Sequence, residues 1–383
     1  MVPARSWVEI SRRKLIGNFQ SVRRAVGGQV EIAAVVKADA YGHGAVEVAR
    51  TLEAAGARWF AVSSADEGVT LREAGIQGRI LVMAGVLPVE EETLAPYRLT
   101  PVLHSIDDIT RIDRLAAGSQ VPLAFHLKLD TGMNRLGAGA LPTVLLDALG
   151  ALRVARLEGL MTHFASAADY ASLQTDHQVE AFHSVLRALQ ANGFPVPLRH
   201  LASTNAIAYG RREAWHTMVR PGHALYGYLS AARGEAPPPI FQVSPVLTWR
   251  ARVIQVKDVP EGSLIGYGGS FRAPRPMRIA VLAAGYADGV PHRLSNKGRV
   301  IVGCRLVPII GTVSMDLTTI DITKCPAVRP GDAVTLLGSE GDIQLDAQQI
   351  ARLAGTISYN VLCGIRSRVR RVYLDDIPDN GLG

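Results

Sequence analysis

The chain has 383 residues, 48% of them hydrophobic, which is enough for a large core and more than one ordinary domain needs. Its formal net charge of +7 is spread along the chain and not gathered in blocks. No apolar run reaches bilayer length, and Met1 to Leu15 is charged and lacks the apolar stretch of a signal peptide. The three cysteines, Cys304, Cys325 and Cys363, are far apart and form no CxxC pattern, which suggests reduced thiols, no metal site and a soluble cytoplasmic protein. The densest basic cluster, Arg366, Arg368, Arg370 and Arg371, has no aromatic platform beside it and reads as a solvated strand face, not as a nucleic-acid site.

The first segment, Ser6 to Ile10, reads as a lone strand that joins the C-terminal part. A helix follows over Ser11–Ala25, with Leu15, Ile16, Phe19, Val22 and Val26 near one face. Short apolar runs then alternate with helical patterns. The predicted strands are Ile32–Val36, Trp59–Val62, Arg79–Met83, Thr100–Leu103, Leu123–Leu129, Ala155–Met161, Leu198–Ala202 and Thr217–Val219. The predicted helices include Ala45–Ala55, Ala65–Ala74, Ile106–Ala116, Leu141–Leu149 and His177–Ala191. Eight strands separated mostly by helices predict an α/β fold, a closed (β/α)8 barrel. An open doubly wound sheet is the alternative, weakened because no GxGxxG follows the first strand.

The pattern breaks after Tyr228. Pro237, Pro238 and Pro239 exclude regular helix, so Ser230 to Pro239 reads as a linker. Beyond it come short strands: Val246–Val256, Ile279–Ala283, Arg299–Val302, Leu306–Ile310, Thr318–Ile322 and Ala333–Leu337. Helical signal returns near Leu345–Ala354. The expected domains are a barrel over 11–236 and a mainly-β C-terminal domain over 237–383, joined by the strand in 1–10.

In such a barrel, function gathers at the C-terminal ends of the strands. Lys37 ends the first run, where packing of its stem against apolar neighbours would lower the amine pKa and suit it to attack a carbonyl. Lys128 lies near the end of the fifth, followed by Asp130 to Arg135. His163 ends the sixth, Ser203 and Thr204 the seventh, and Arg220 the eighth, followed by Pro221, Gly222 and His223. Together they predict a cationic mouth for an anionic small molecule. Thr204 as a helix cap, and the amides of Gly222 and His223 as a nest, would take a phosphate.

These residues stand in motifs that resemble the bacterial alanine racemases. The resemblance begins with Ala34 to Gly44, around Lys37. It includes His126 to Met133 with Arg135-Leu136-Gly137, Gly159 to Phe164, and Val219-Arg220-Pro221-Gly222. It continues through Gly266-Tyr267-Gly268, Gly285 to Gly289 and Ser314-Met315-Asp316, and ends at Ile357-Ser358-Tyr359.

The resemblance implies a cytoplasmic homodimer that racemises alanine with pyridoxal 5'-phosphate and supplies D-alanine for peptidoglycan. By the same resemblance Lys37 carries the cofactor and is one base, while Tyr267 of the partner subunit is the other. Arg220 faces the pyridine nitrogen and, always protonated, keeps it unprotonated, with His163 in support. Tyr41, Ser203, Thr204, Gly222, His223 and Tyr359 match cofactor positions. Arg135 and the Met315 amide match the substrate carboxylate site. Lys128 matches a lysine that is often carbamylated, and Tyr286 and Asp316 match the substrate entrance. Ser203, His223, Thr312 and Asn360 depart from the family's usual residues, which bears on substrate preference and cofactor affinity. A decarboxylase would need an acid where Arg220 stands. A cofactor-carrying protein on a lone barrel would not need the β-domain.

Overall fold

The computed structural model describes residues 4–119, 122–139 and 141–375. Residues 1–3 of the expected first strand segment and 376–383 of the expected second domain lie outside them. The chain forms two compact units. One is Lys14–Ala40 with Ala45–Ser244; the other joins the N-terminal residues up to Arg13, Tyr41–Gly44 and the chain from Pro245 onward.

The larger unit is the parallel barrel. Its strands follow the lone strand β1 (Ser6–Ser11) in chain order: β2 (Glu31–Val35), β3 (Trp59–Val62), β4 (Arg79–Val82), β5 (Leu99–Leu103), β6 (Ala124–Lys128), β7 (Arg156–Met161), β8 (Leu198–His200) and β9 (Met218–Val219). Neighbours pair in sequence order from β2 to β8, and β9 pairs back with β2. A parallel bridge between Ser203 and Arg220, with the Arg220 amide donating to the Ala202 carbonyl at 3.0 Å, joins the continuations of β8 and β9. The sheet therefore closes, and the open doubly wound alternative is set aside. Strands such as Ile32–Val35 and Trp59–Val62 are buried along their length, as expected where helices cover one face and side chains fill the other.

One irregularity bears on the site. Between β6 and β7, Phe125 pairs with Leu157 but His126 pairs with Gly159. Glu158 is the extra residue of a bulge, a device that re-aims a side chain. Gly159 then leaves room for the His126 ring, because a Cβ there would lie 2.6 Å from it.

The smaller unit is mainly β. Its long strand Leu247–Val259 is antiparallel to β1, to Met277–Leu282 and to Ala333–Glu340, and β1 runs parallel to Arg370–Leu374. The first seven residues of that long strand alternate between buried and half-buried, the period expected of a sheet with one face on a core. The hairpin Leu264–Ile265 and Phe271–Arg272 carries the tip Tyr267–Gly269. Its base is held by the buried cluster of Ile265, Ala273, Met277, Ile279 and Ile310.

Most predicted elements recur with ends shifted by one to three residues. Helix Gln174–Ala191 starts ahead of His177 because Thr175 and Gln178 are buried polar residues that hydropathy does not mark. The short helix Ser358–Cys363 and the hairpin tip carry no periodic signal at their length.

Candidate active site

Lys37 follows β2 after one residue and opens the helical turn Lys37–Gly42, so it lies just past the strand and not on it. Ala38, Asp39, Ala40 and Tyr41 have φ of 52°, 51°, 52° and 55°. Four successive non-glycine residues are thus left-handed, at roughly 1–2 kcal/mol each. Such strain persists only where contacts fix it. The Ala38 amide donates to Glu67 Oε1 at 2.6 Å, and the Ala45 amide to Asp39 Oδ1 at 2.7 Å. Nothing in the residue types signals the reversed hand, since alanine and tyrosine favour ordinary helix.

Arg220 is 3% exposed, and both terminal nitrogens of its guanidinium are engaged by the barrel core. Nη2 donates to the carbonyls of Thr162 at 2.7 Å and Leu201 at 3.1 Å. Nη1 donates to the His200 carbonyl and, at 2.9 Å, to His200 Nδ1. The His163 ring is at the outer limit of such a bond, with Nδ1 3.5 Å from Nη2. Burial lowers the Arg220 pKa to about 9. Burial first, then the cations Arg220, Lys128, Arg135 and Lys37, push His163 down to about 3, so its ring is neutral near pH 7.

The same cations act on one another. Burial, Arg135, Arg220 and Lys37 lower Lys128 to about 8, against the pull of Asp130. Asp130 itself shapes the loop, accepting from the amides of Gly132, Met133 and Asn134 at 3.0–3.1 Å. Thr131 and Thr162 share a 2.7 Å hydroxyl bond, and Gln178 donates to Thr131 and to the His163 carbonyl. That chain of polar side chains ties the loop after β6 to the loop after β7.

Unmodified Lys128 makes folding release a proton. Its folded pKa of about 8 lies below the unfolded value of 10.5, so the unfolded chain binds more protons between them. Stability therefore rises as pH climbs from about 8 towards 10.5. In carbon-dioxide-free buffer, Lys128→Met is expected to flatten that rise by on the order of 1–3 kcal/mol. Denaturant midpoints measured across the interval check it; parallel curves for the two proteins would refute it.

The predicted anion site is built differently from expectation. Ser203, not Thr204, is the N-cap of the short helix Thr204–Ala208, and it makes no side-chain cap bond. The Thr204 hydroxyl instead accepts from the amides of Gly222 at 3.1 Å and Ala224 at 3.2 Å. The Gly222 amide is thus taken up internally, and the Thr204 proton is left to donate. The His223 ring is buried and stacked on Tyr228, with centroids 5.1 Å apart.

In the smaller unit, the Tyr41 and Tyr359 rings lie 5.9 Å apart. Burial, then Tyr359 and Cys363, push the Tyr41 phenol well above its usual range. Tyr267 stands on the hairpin tip between Gly266 and Gly268, at φ of 80° and 66°. A Cβ on Gly266 would lie 2.8 Å from the Thr312 amide nitrogen. The Thr312 hydroxyl donates to the Tyr267 carbonyl at 3.3 Å, and the amides of Tyr286 and Ala287 donate to Ser314 and Met315. Tyr267, Tyr286 and Met315 thus stand on three hydrogen-bonded loops and are 76%, 42% and 54% exposed. Asp316 pairs with Arg368 at 2.8 Å, and Arg368 also pairs with the buried Asp288 at 2.9 Å. Arg371 donates to the carbonyls of Gly42, Ile365, Arg366 and Val369. The basic cluster is therefore structural in part, a correction to the solvated strand face.

Sequence reasoning gave no role to His126, Glu158 or His200. Their signal was a polar residue within a predicted barrel strand. No helix among the described residues is long and apolar enough to cross a membrane, and none of them forms a three-ligand metal cluster.

A closed parallel barrel with buried and partly buried cations at the ends of its strands, in a chain that also carries a mainly-β unit, defines the class of barrel enzymes. The family models of the alanine racemase N-terminal and C-terminal domains match residues 10–230 and 246–373. The chain belongs to the alanine racemase family. It is 41% identical to the alanine racemase of Halothermothrix orenii over 97% of each chain. It is 39% identical to that of Synechocystis, over 98% of this chain and all of the other. The Bacillus anthracis alanine racemase structure with bound L-Ala-P superposes with a TM-score of 0.90 at 32% identity, covering 98% of this chain and 96% of that one. The Bartonella henselae alanine racemase with covalently bound pyridoxal phosphate gives 0.86 at 29% identity, covering 97% and 100%.

Proposed function

We propose that this chain interconverts L- and D-alanine with pyridoxal 5'-phosphate attached to Lys37, using Lys37 and Tyr267 of a second copy as bases on opposite faces of the α-carbon. The observation that carries the reading is the convergence of Lys37, Lys128, Arg135 and Arg220 closely enough to depress one another's neighbours. Such a field suits a ligand bearing both a phosphate and a carboxylate. The barrel's donors fit as well: Thr204 has a hydroxyl proton left to give.

The cofactor supplies electron withdrawal that acidifies the substrate α-proton. Lys37 holds it and takes or returns that proton on one face. Arg220, fixed by carbonyls and by His200, gives the pyridine nitrogen a cation that surrenders no proton, which favours reprotonation at the α-carbon over transamination. Thr204, His223, Tyr41 and Tyr359 anchor the phosphate, with Gly222 positioning the Thr204 hydroxyl and Ser203 beside them. Arg135 and the Met315 amide hold the substrate carboxylate. Lys128, largely neutral above pH 8, can add carbon dioxide to its amine with loss of a proton. The resulting carbamate converts repulsion of Arg135 into attraction. Asp316 and Tyr286 border the entrance.

A homodimer is part of the reading. Tyr267, Met315 and Tyr286 leave large side chains in solvent on one loop system, a surface suited to completing the site of a second copy. The role proposed is D-alanine supply for peptidoglycan in the cytoplasm.

Incubation with L-alanine in deuterated water tests the reading. D-alanine carrying α-deuterium is expected; neither product nor exchange, from protein with bound cofactor, would overturn it. Tyr267→Phe is expected to slow proton abstraction from one enantiomer by roughly 10²–10⁴-fold and to affect the other much less. Isotope exchange measured from each enantiomer checks this, and unchanged exchange in both directions would remove Tyr267 as a base.

A further inference from the structure

The barrel interior holds a line of polar side chains behind Arg220. Arg79 pairs with both oxygens of Glu158, its Nη2 at 2.7 Å from Oε2, and its guanidinium stacks 4.1 Å over the Trp59 ring. Glu158 Oε2 lies 3.5 Å from His126 Nε2, an electrostatic contact at the limit of hydrogen bonding. His126 Nδ1 lies 2.8 Å from His200 Nε2. His200 Nδ1 lies 2.9 Å from Arg220 Nη1. Both histidine rings are fully buried.

Donor and acceptor chemistry gives this line one direction. A guanidinium only donates, so His200 Nδ1 must accept. Its proton is then on Nε2 and is donated to His126 Nδ1. His126 in turn carries its proton on Nε2, aimed at the carboxylate. Reversing either ring would set N–H against N–H in a buried site, a penalty of about 1–3 kcal/mol for each unsatisfied group.

We propose that Glu158 is a positioning residue that acts through His126 and His200 on Arg220. The carboxylate at one end and the guanidinium at the other favour the same tautomer of both rings, so its charge reinforces His200 as an acceptor for the guanidinium. Two features of the backbone accommodate this arrangement: the bulge that makes Glu158 the extra residue of β7, and Gly159, where a Cβ would lie 2.6 Å from the His126 ring. The effect on turnover rests on the function proposed above; the tautomers do not.

The test uses full-length, cofactor-loaded protein labelled with ¹⁵N-histidine. In the wild type, His126 and His200 are expected as neutral Nε2–H tautomers across neutral pH. Glu158→Gln keeps an acceptor but loses the charge. It is expected to mix the His126 and His200 tautomers and to lower kcat for alanine racemisation on the order of 10-fold, with KM changed less than about twofold. His126→Phe, which keeps a ring in the space, is the second variant should Glu158→Gln fail to fold. It is expected to weaken the tautomer preference of His200, which then rests on Arg220 alone, and to lower kcat likewise. His200 as the Nδ1–H tautomer in the wild type, or unchanged His200 spectra and kcat in either folded variant, would overturn the proposal. Tautomers that respond in a protein with no racemase activity would refute the function and leave the positioning line standing.

Discussion

Lys37→Ala is expected to give folded protein that lacks the absorbance of covalently held cofactor and has lost racemisation by at least about 10⁴-fold. On the proposed reading two roles end together, attachment of the cofactor and abstraction of the proton on one face. The turn's contacts from the Ala38 amide to Glu67 and from the Ala45 amide to Asp39 are left in place by the substitution. Stability close to wild type, measured by thermal unfolding without cofactor, separates loss of chemistry from loss of fold. Retained turnover near the wild-type rate would sink the assignment of Lys37.

Arg220→Glu is expected to alter both stability and reaction outcome. Three backbone carbonyls, of Thr162, His200 and Leu201, and His200 Nδ1 lose their donor at once. The new carboxylate would sit buried among oxygens. Breaking a buried charged network of this kind costs about 3–5 kcal/mol, seen as a lower denaturant midpoint. On the proposed reading, an acid there would also share a proton with the pyridine nitrogen and strengthen its electron withdrawal. Racemisation slows and transamination products rise. Finding the stability loss without any change in product ratio would leave Arg220 a structural residue and refute its electronic role.

The barrel was legible in the residues because parallel strands covered on both sides are written as unbroken apolar runs such as Ile32–Val36 and Trp59–Val62. Much of the site was legible for a related reason: a lysine, a histidine or an arginine directly after such a run stands at a strand end. Where the reading failed, the deciding contacts were between residues distant in sequence. Thr204 looked like a helix cap, but its hydroxyl is claimed by amides 18 and 20 residues away. Arg368 looked solvated, yet Asp288 and Asp316 pair with it across 80 and 52 positions. The shift of His163 to about 3 follows first from burial and then from four cations gathered at the ends of β2, β6 and β9.

The sequence by itself determined the alternation of strands and helices, the change of pattern after Tyr228, and the motifs that tie the chain to its family. Local propensity, period and residue chemistry are properties of short segments, and segments carry them unfolded. Only the tertiary structure decided the hand of the turn after Lys37, the bulge at Glu158 and the line from Glu158 to Arg220. Each of these is unfavourable or meaningless on its own: left-handed alanines are strained, an unpaired residue breaks a ladder, and buried histidines need partners. They exist because packing around them supplies the missing partners, and that packing is settled only when the barrel closes.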